Sequence, residues 1–495
     1  MNLLKKQGFY NSITLYVGTL LGFLNLIILF QRYLQIEEIG YFSLLIAISL
    51  LYTQLSLLGF GSVITRYFPF YRSNDKKHGG FATLTFLFAL IGFAIITIGF
   101  IGLKQLIIGL HQEDKGSSLL NQYYYYIIPV ALFTMLFSIQ ETFARTTFHN
   151  IFPAFLREVF LKLSTTVGII LIGFNILNFE GFITYYVAAN LFILLAITWY
   201  INKINSYKLS PIETALKSQT KSMLKYGLYS TLAGGSVALI QNLDIIFLKF
   251  FTDEKMVGIY STFFGMALVI SLPAKALNTT SYQIIAEAWK NNDLQKIAKI
   301  YHKTSVVQFL IGCLLLVGLI ANWQNILILL HKPIYSSYFS VFVIIGLAFL
   351  ADITGGLNGA IISFSKNYKN VMYFLISAAI LCVLLNIILI PIYKLPGAAM
   401  AYLFTMIALN FAYWLYNKVK FNLQPFDSSF IKIIIISAVA LTPGIFLPKI
   451  DFYILDILFR SGLVGGIFVG LVYTMKISAD INEFLEQIIS KIKFR

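Results

Sequence analysis

The chain has 495 residues, of which 58% are hydrophobic and only 12% charged, and its mean hydropathy is +0.79. Soluble domains carry about 25% charged residues, so a soluble enzyme is excluded and a polytopic, all-α membrane protein is expected. The net charge of +16 invites a nucleic-acid reading, which the placement of the charges argues against.

Apolar segments long enough to cross a bilayer as helices recur along the whole chain, and about 14 are expected. The first eight lie near residues 10–31, 41–63, 81–103, 122–144, 153–178, 181–202, 226–248 and 256–278. The other six lie near 304–330, 336–362, 370–391, 396–417, 430–447 and 457–475. The opening Met1–Asn11 is short and basic and runs directly into the first span, which reads as an uncleaved signal anchor. Gly18 and Gly22 form a GxxxG in span 1, and Gly234-Gly235 and Gly355-Gly356 interrupt spans 7 and 10. Such small residues more often serve helix packing or a hinge than substrate contact. Tyr123–Tyr126, beside span 4, suit an interfacial aromatic belt, with carbohydrate stacking as the alternative. The Lys-rich connection 203–225 carries Pro211. The 279–303 connection suits either an amphipathic helix on the inner leaflet or a solvated helical linker. Cys313 and Cys382 both fall inside apolar segments, where each is expected to pack as a small hydrophobe rather than pair.

A pattern repeats. Gly8-Phe9-Tyr10-Asn11-Ser12, an apolar run and Glu38-Ile39-Gly40-Tyr41-Phe42-Ser43 return about 218 residues later. The second copy reads Gly227-Leu228-Tyr229-Ser230-Thr231, an apolar run, then Met256-Val257-Gly258-Ile259-Tyr260-Ser261. Further on, Phe174-Asn175-Ile176-Leu177 parallels Leu385-Asn386-Ile387-Ile388. Each copy holds six spans, and an even number gives both the same orientation, with the pseudo-twofold axis along the membrane normal. The expected organisation is a six-helix lobe at 1–210, a second at 211–422, and two further helices with a tail at 423–495. A substrate site between two such lobes is the architecture of a transporter.

By alternating loops, about 28 of the 37 Lys and Arg fall on one side and about 9 on the other. The basic side carries Lys5, Lys6, Arg66, Arg72, Lys76, Lys77, the two long connections and the Lys491–Arg495 tail. The positive-inside rule makes it cytoplasmic, with both termini inside.

Gln241-Asn242-Leu243-Asp244-Ile245-Ile246 with Gly258-Ile259-Tyr260 resembles the seventh-helix signature of polysaccharide-biosynthesis flippases. Asn386-Ile387-Ile388-Leu389-Ile390-Pro391 with Gly397-Ala398-Ala399 is similar to their helix 11–12 hairpin. The likeness, to an O-antigen-type branch of the multidrug/oligosaccharidyl-lipid/polysaccharide exporter superfamily, extends over essentially the whole chain, span count included. It implies a monomeric, multi-pass flippase of the bacterial plasma membrane. Such a protein moves undecaprenyl-diphosphate oligosaccharide from inner to outer leaflet by alternating access, for O-antigen, capsule or exopolysaccharide synthesis. Membrane lipids and polysaccharide-assembly proteins are the other expected partners; no nucleic acid, cofactor or metal is expected. Lipid II flippases of the superfamily place arginines within the central cavity. Spans 1 and 7 here contain no internal Arg, which argues against lipid II as substrate.

A diphosphate head group needs cations in a wet cavity. Candidates near the basic ends of spans are Arg66, Arg145, Arg157, Lys162 and Lys275, with snorkelling to anionic lipid as the competing explanation. Two acids lie well inside spans, Asp244 and Asp352; an ionised carboxylate at mid-helix costs roughly 2.5–3.5 kcal/mol on insertion scales. They are candidates for a proton- or sodium-coupling site or a polar cavity, or for an interhelical pair such as Asp244 with Lys249. Asn25 holds the depth of Asp244 in the first copy. Glu141 and Glu158 are candidate partners for Arg145, Arg157 or Lys162. The five histidines are dispersed, and no Gly-rich phosphate loop ends in Lys-Ser/Thr. The rival readings are an ion-coupled multidrug or cation antiporter, which usually stops at 12 spans, and a membrane polymerase or ligase of lipid-linked sugars, which should carry a sizeable outer loop.

Overall fold

The computed structural model describes residues 3–108, 118–204, 206–477, 482, 483 and 486. His111, the middle of the 104–121 connection and the Lys491–Arg495 tail lie outside the described residues. Regular structure among the described residues is entirely helical, as hydrocarbon demands when each backbone group must find its partner within its own segment. Among the described residues thirteen helices are long and apolar enough to cross a membrane, from Ile13–Tyr33 to Tyr453–Thr474. The fifth expected span is the remaining one. Ile151–Phe155, Leu156–Phe160 and Leu161–Gly173 follow one another without a break, but Arg157, Glu158 and Lys162 make the segment less apolar. Counting it, the spans are numbered 1 to 14 in chain order.

Polar residues in the short connections start helices by accepting from otherwise orphaned backbone amides. Asn178 caps span 6 through Gly181 N (2.8 Å), Asp293 caps span 9 through Lys296 N (2.9 Å), and Asp427 caps span 13 through Ser429 N (2.9 Å). At the start of span 2 the Gln35 amide donates to Glu38 Oε2 (2.7 Å) in a capping box.

Four expectations need correcting. Span 2 ends at Ser56; Gly59, at φ +74°, breaks the chain, so Arg66 sits on a separate helix, Phe60–Tyr71. Span 7 is one helix, Thr214–Phe251, uninterrupted at Gly234-Gly235, and it absorbs half of the supposed 203–225 linker. The 279–303 segment is a helical connection between two spans, as one of its two readings expects, but one face of it is packed rather than solvated. Leu272–Lys290 turns sharply into Leu294–Ala321, and Ile285, Ala288, Ile297 and Tyr301 are buried together with Leu357 and Ile361. Of the four tyrosines assigned to the belt, Tyr123 and Tyr124 are buried, and Tyr124 stacks on Phe100 at 4.3 Å while its hydroxyl donates to Phe100 O.

The chain packs as two units. The first comprises residues 1–262 with 379–398, that is spans 1–7, the start of span 8, the greater part of span 11 and the first residues of span 12. Span 7 and the greater part of span 11, both from the second repeat copy, pack in this unit. Two backbone contacts mark its centre. A Cβ on Gly40 would lie 1.8 Å from Glu254 O, and one on Gly258 would lie 2.1 Å from Ile36 O. Positions 36 and 254, like 40 and 258, are separated by the spacing of the sequence repeat, so the glycines of the two copies meet each other reciprocally. At the other end of span 2, a Cβ on Gly59 would lie 1.8 Å from Gly227 O. The connection after Phe60–Tyr71 is tied to the stretch before span 7 by Lys208 N to Lys76 O (2.7 Å) and Glu213 N to Gly79 O (3.0 Å). Within it the Ser73 hydroxyl and Lys77 amide donate to Asp75, holding its carboxyl below the usual range.

The second unit comprises residues 263–378 with 399–495: the rest of span 8, spans 9 and 10, the start of span 11, most of span 12, and spans 13 and 14. Gly356, at φ +55°, breaks span 10 between Phe339–Thr354 and Asn358–Phe364. A buried Asp456–Arg460 pair (3.0 Å) anchors span 14: Asn325 donates to the carboxylate at 2.5 Å, and Arg460 donates to Gly444 O at the end of span 13.

Candidate functional site

In the first unit, two polar clasps link spans 1 and 5 and spans 7 and 11, the same pairing in both repeat copies. Asn25 is buried in a π-helical turn, Asn25–Leu29. Its Nδ2 donates to Lys162 O (3.0 Å) and its Oδ1 accepts from Thr166 Oγ1 (2.7 Å), so the carboxamide is satisfied as both donor and acceptor. Asp244, 2% exposed, accepts from Asn386 Nδ2 (2.7 Å), Tyr260 OH (2.9 Å) and, more weakly, Cys382 Sγ (3.7 Å). All three donors are neutral, and no cation among the described residues lies within ion-pair distance. Lys249, the partner weighed from sequence, pairs instead with Glu254 at 3.0 Å, both side chains 8% exposed. Glu254 Oε1 also accepts from Ser118 Oγ (2.5 Å) and Leu120 N (3.1 Å). The repeat therefore carries a carboxamide clasp in one copy and a carboxyl clasp in the other.

The cation candidates separate into two kinds. Arg157 and Lys162 are paired: Arg157 Nη1 lies 2.6 Å from Glu141 Oε2, and Lys162 Nζ lies 3.1 Å from Glu158 Oε2. A π-helical turn, Leu156–Phe160, carries Arg157 and Glu158; such turns often occur at functional sites. Gly18 of span 1 lies against this turn, 2.3 Å separating its would-be Cβ from Glu158 O. Arg145 is exposed, one turn beyond Glu141 on the same helix.

Arg66 is different. It is exposed, with its guanidinium over the ring of Tyr226 at 4.4 Å and Tyr67 at 5.5 Å. With Lys225, Ser222 and Tyr229 these groups line a cavity of about 680 Å³. No carboxylate among the described residues comes within ion-pair distance of Arg66 or Lys225. The two cations lie on helices the sequence separates by some 160 residues (Phe60–Tyr71 and Thr214–Phe251), joined at the Gly59–Gly227 contact. Lys225 escaped the sequence reading as a site residue because it closed an apparent linker, 203–225, whose second half is the start of the span 7 helix; Tyr226 and Tyr229 fell within the expected span 7.

In the second unit, Asp352 is exposed beside Asn410 and within electrostatic reach of Lys275. Asn410 accepts from Asn358 at 2.8 Å, just past the break in span 10. An adjoining cavity of about 470 Å³ is lined mainly by apolar side chains, among them Phe309, Leu350, Leu403 and Trp414. Thus Asn25 and Asp244 belong to separate clasps, Arg157 and Lys162 share one cluster, Arg66 stands in its own cavity, and Asp352 and Lys275 lie together in the second unit.

Residues 4–289 match the family model described as polysaccharide biosynthesis protein. No curated protein matches the chain by sequence. By structure it is similar to lipid II flippase MurJ in an inward closed conformation, with a TM-score of 0.73 at 17% identity, over 94% of this chain and 99% of that one. It is also similar to a multidrug resistance MATE family transporter of the MOP superfamily, inward-facing, with a TM-score of 0.66 at 14% identity, over 82% of this chain and 95% of that one. The outward-facing conformation of a MATE family transporter gives a TM-score of 0.57 at 13% identity, over 84% and 96%. At these identities the likeness is one of fold, whereas the family match spans more than half the sequence: the chain belongs to the polysaccharide biosynthesis protein family.

Proposed function

We propose that the protein is a flippase that carries undecaprenyl-diphosphate-linked oligosaccharide from the inner to the outer leaflet of the bacterial plasma membrane by alternating access. Its products supply O-antigen, capsule or exopolysaccharide synthesis. Family and fold support a membrane carrier. The observation that carries the substrate reading is the cavity where Arg66 and Lys225, neither neutralised by an acid, stand among three tyrosines. A diphosphate entering hydrocarbon unaided forfeits its hydration at great cost. Arginine offers it bidentate hydrogen bonds and lysine a compact charge, while tyrosine rings suit sugar faces and their hydroxyls supply hydrogen bonds. The polyprenyl tail stays in lipid throughout. The distribution of Lys and Arg supports a cavity opening to the cytoplasm, with both termini on that side. The protein acts as a monomer, and a proton or sodium gradient biases its cycle through Asp244.

A second reading, an ion-coupled multidrug or cation antiporter, is favoured by Asp244 itself, a buried carboxylate with no cation beside it. The discriminating experiment reconstitutes the protein in liposomes with a short undecaprenyl-diphosphate oligosaccharide and follows protection of the sugar from added glycosidase. Accessibility changing faster than in empty liposomes, and slowed by about tenfold in Arg66→Ala or Lys225→Ala, supports the flippase. Export of a cationic dye under an ion gradient, with no movement of the lipid, would replace it with the antiporter.

A further inference from the structure

The charges of spans 4 and 5 hold an arrangement that simple pairing does not explain. Glu141, 10% exposed at its side chain, grips Arg157 from inside the packing. Glu158 lies on the accessible side of the cluster and spreads its two oxygens over two cations. Its Oε2 is 3.1 Å from Lys162 Nζ and its Oε1 is 3.5 Å from Arg157 Nε. One carboxylate bridging a guanidinium and an ammonium occupies the place a phosphate takes between such groups. The backbone beneath is pinned while the side chains are not. Gly18 lies against Glu158 O, and Lys162 O accepts from Asn25 Nδ2 (3.0 Å) and Thr166 Oγ1 (2.9 Å). The side chains of Glu158, Lys162 and Arg157 are 23%, 34% and 47% exposed, so they can exchange partners without moving either helix.

We propose that Arg157 and Lys162 form a phosphate site additional to the Arg66–Lys225 cavity, and that Glu158 is a resident anion there, standing in for the phosphate of the substrate until the incoming diphosphate displaces it. The inference rests on the flippase reading. The partly exposed pair of Glu158 and Lys162 is weak and cheaply exchanged. A diphosphate brings more charge and more acceptor oxygens than the carboxylate it replaces, whereas a singly charged anion gains little by the exchange. Glu158 therefore acts as a specificity filter. It keeps the empty site neutralised and admits multiply charged head groups.

The test uses the full-length protein in lipid nanodiscs and measures equilibrium binding of geranylgeranyl diphosphate, the singly charged methyl diester of geranylgeranyl phosphate and the parent alcohol. Glu158→Gln should bind the diphosphate about tenfold more tightly than wild type, and the singly charged methyl diester more tightly by a larger factor, so that discrimination falls. Lys162→Ala should weaken diphosphate binding and abolish the gain when combined with Glu158→Gln. Glu158→Asp, which keeps the charge, should stay near wild type and guards against misfolding of the neutral variant. Wild type and Glu158→Gln binding equally, or Lys162→Ala having no effect, would overturn the inference and leave the flippase reading standing. No preference for diphosphate over alcohol in any of the proteins would remove that reading and the inference with it.

Discussion

Gly40→Ala is the substitution with the most sharply defined cost. The added Cβ would fall 1.8 Å from Glu254 O and 2.9 Å from Gly258 N. Both are backbone atoms, so no rotamer change relieves the collision. The starts of spans 2 and 8 would have to part by roughly 1.5 Å to restore ordinary contact distances. Overpacking of this kind costs about 1–3 kcal/mol. The same movement draws the Glu254 carboxylate away from Ser118 Oγ at 2.5 Å and Leu120 N at 3.1 Å. Losing one such charge-assisted bond adds about 1.5–3 kcal/mol, so the total should reach about 2.5–6 kcal/mol. The assay is the apparent melting temperature of detergent-solubilised protein, followed by fluorescence-detected size exclusion. Gly99→Ala serves as control, since nothing lies within 4 Å of a Cβ there. Gly258→Ala, whose Cβ meets Ile36 O at 2.1 Å, should behave as Gly40→Ala does. If Gly40→Ala melts together with Gly99→Ala, the close crossing of spans 2 and 8 is wrong.

Asp244→Asn should impair transport more than expression, because Tyr260 can still donate to the remaining oxygen; full flipping activity would remove the coupling role. Asp244→Ala should also lower thermal stability, by about 1–3 kcal/mol, since it removes the buried carboxylate that accepts from Asn386 and Tyr260. Lys249→Ala leaves the Glu254 carboxylate buried without its cation and should cost about 3–5 kcal/mol in melting experiments; Glu254→Gln should cost less, as Ser118 and Leu120 keep an acceptor. Reporter fusions in the 203–225 segment and after Arg495 should both report from the cytoplasm, and an external C-terminus would overturn the span count.

Hydropathy located the spans because a helix in lipid needs a run of apolar residues whatever it packs against. Asp244 was legible for the same reason: a carboxylate in such a run stands out. Its surroundings were not. Asn386 is 142 residues away, and nothing local marks it as the donor. Lys249 looked like a partner on spacing alone, but five residues place it about 140° around the helix, turned toward Glu254. Gly18 was legible as a packing residue through its GxxxG spacing, and it does meet span 5. Lys225 was hidden because a basic stretch beside Pro211 reads as a linker, although a long helix has already begun at Thr214.

The clasp around Asp244 also sets a timetable for biogenesis. Span 7 leaves the ribosome well before span 11, and the 142 residues separating Asp244 from Asn386 take on the order of ten seconds to synthesise. Throughout that interval the carboxylate must enter or wait beside the membrane without Asn386 or Cys382, although Tyr260 arrives soon after it. Insertion of span 7 then depends on its flanking apolar residues, on the translocation machinery, or on transient protonation to cover a charge that the finished protein shelters. Stalling the nascent chain between spans 10 and 11 would hold the protein at this point, with span 7 dependent on the insertion apparatus until translation resumes.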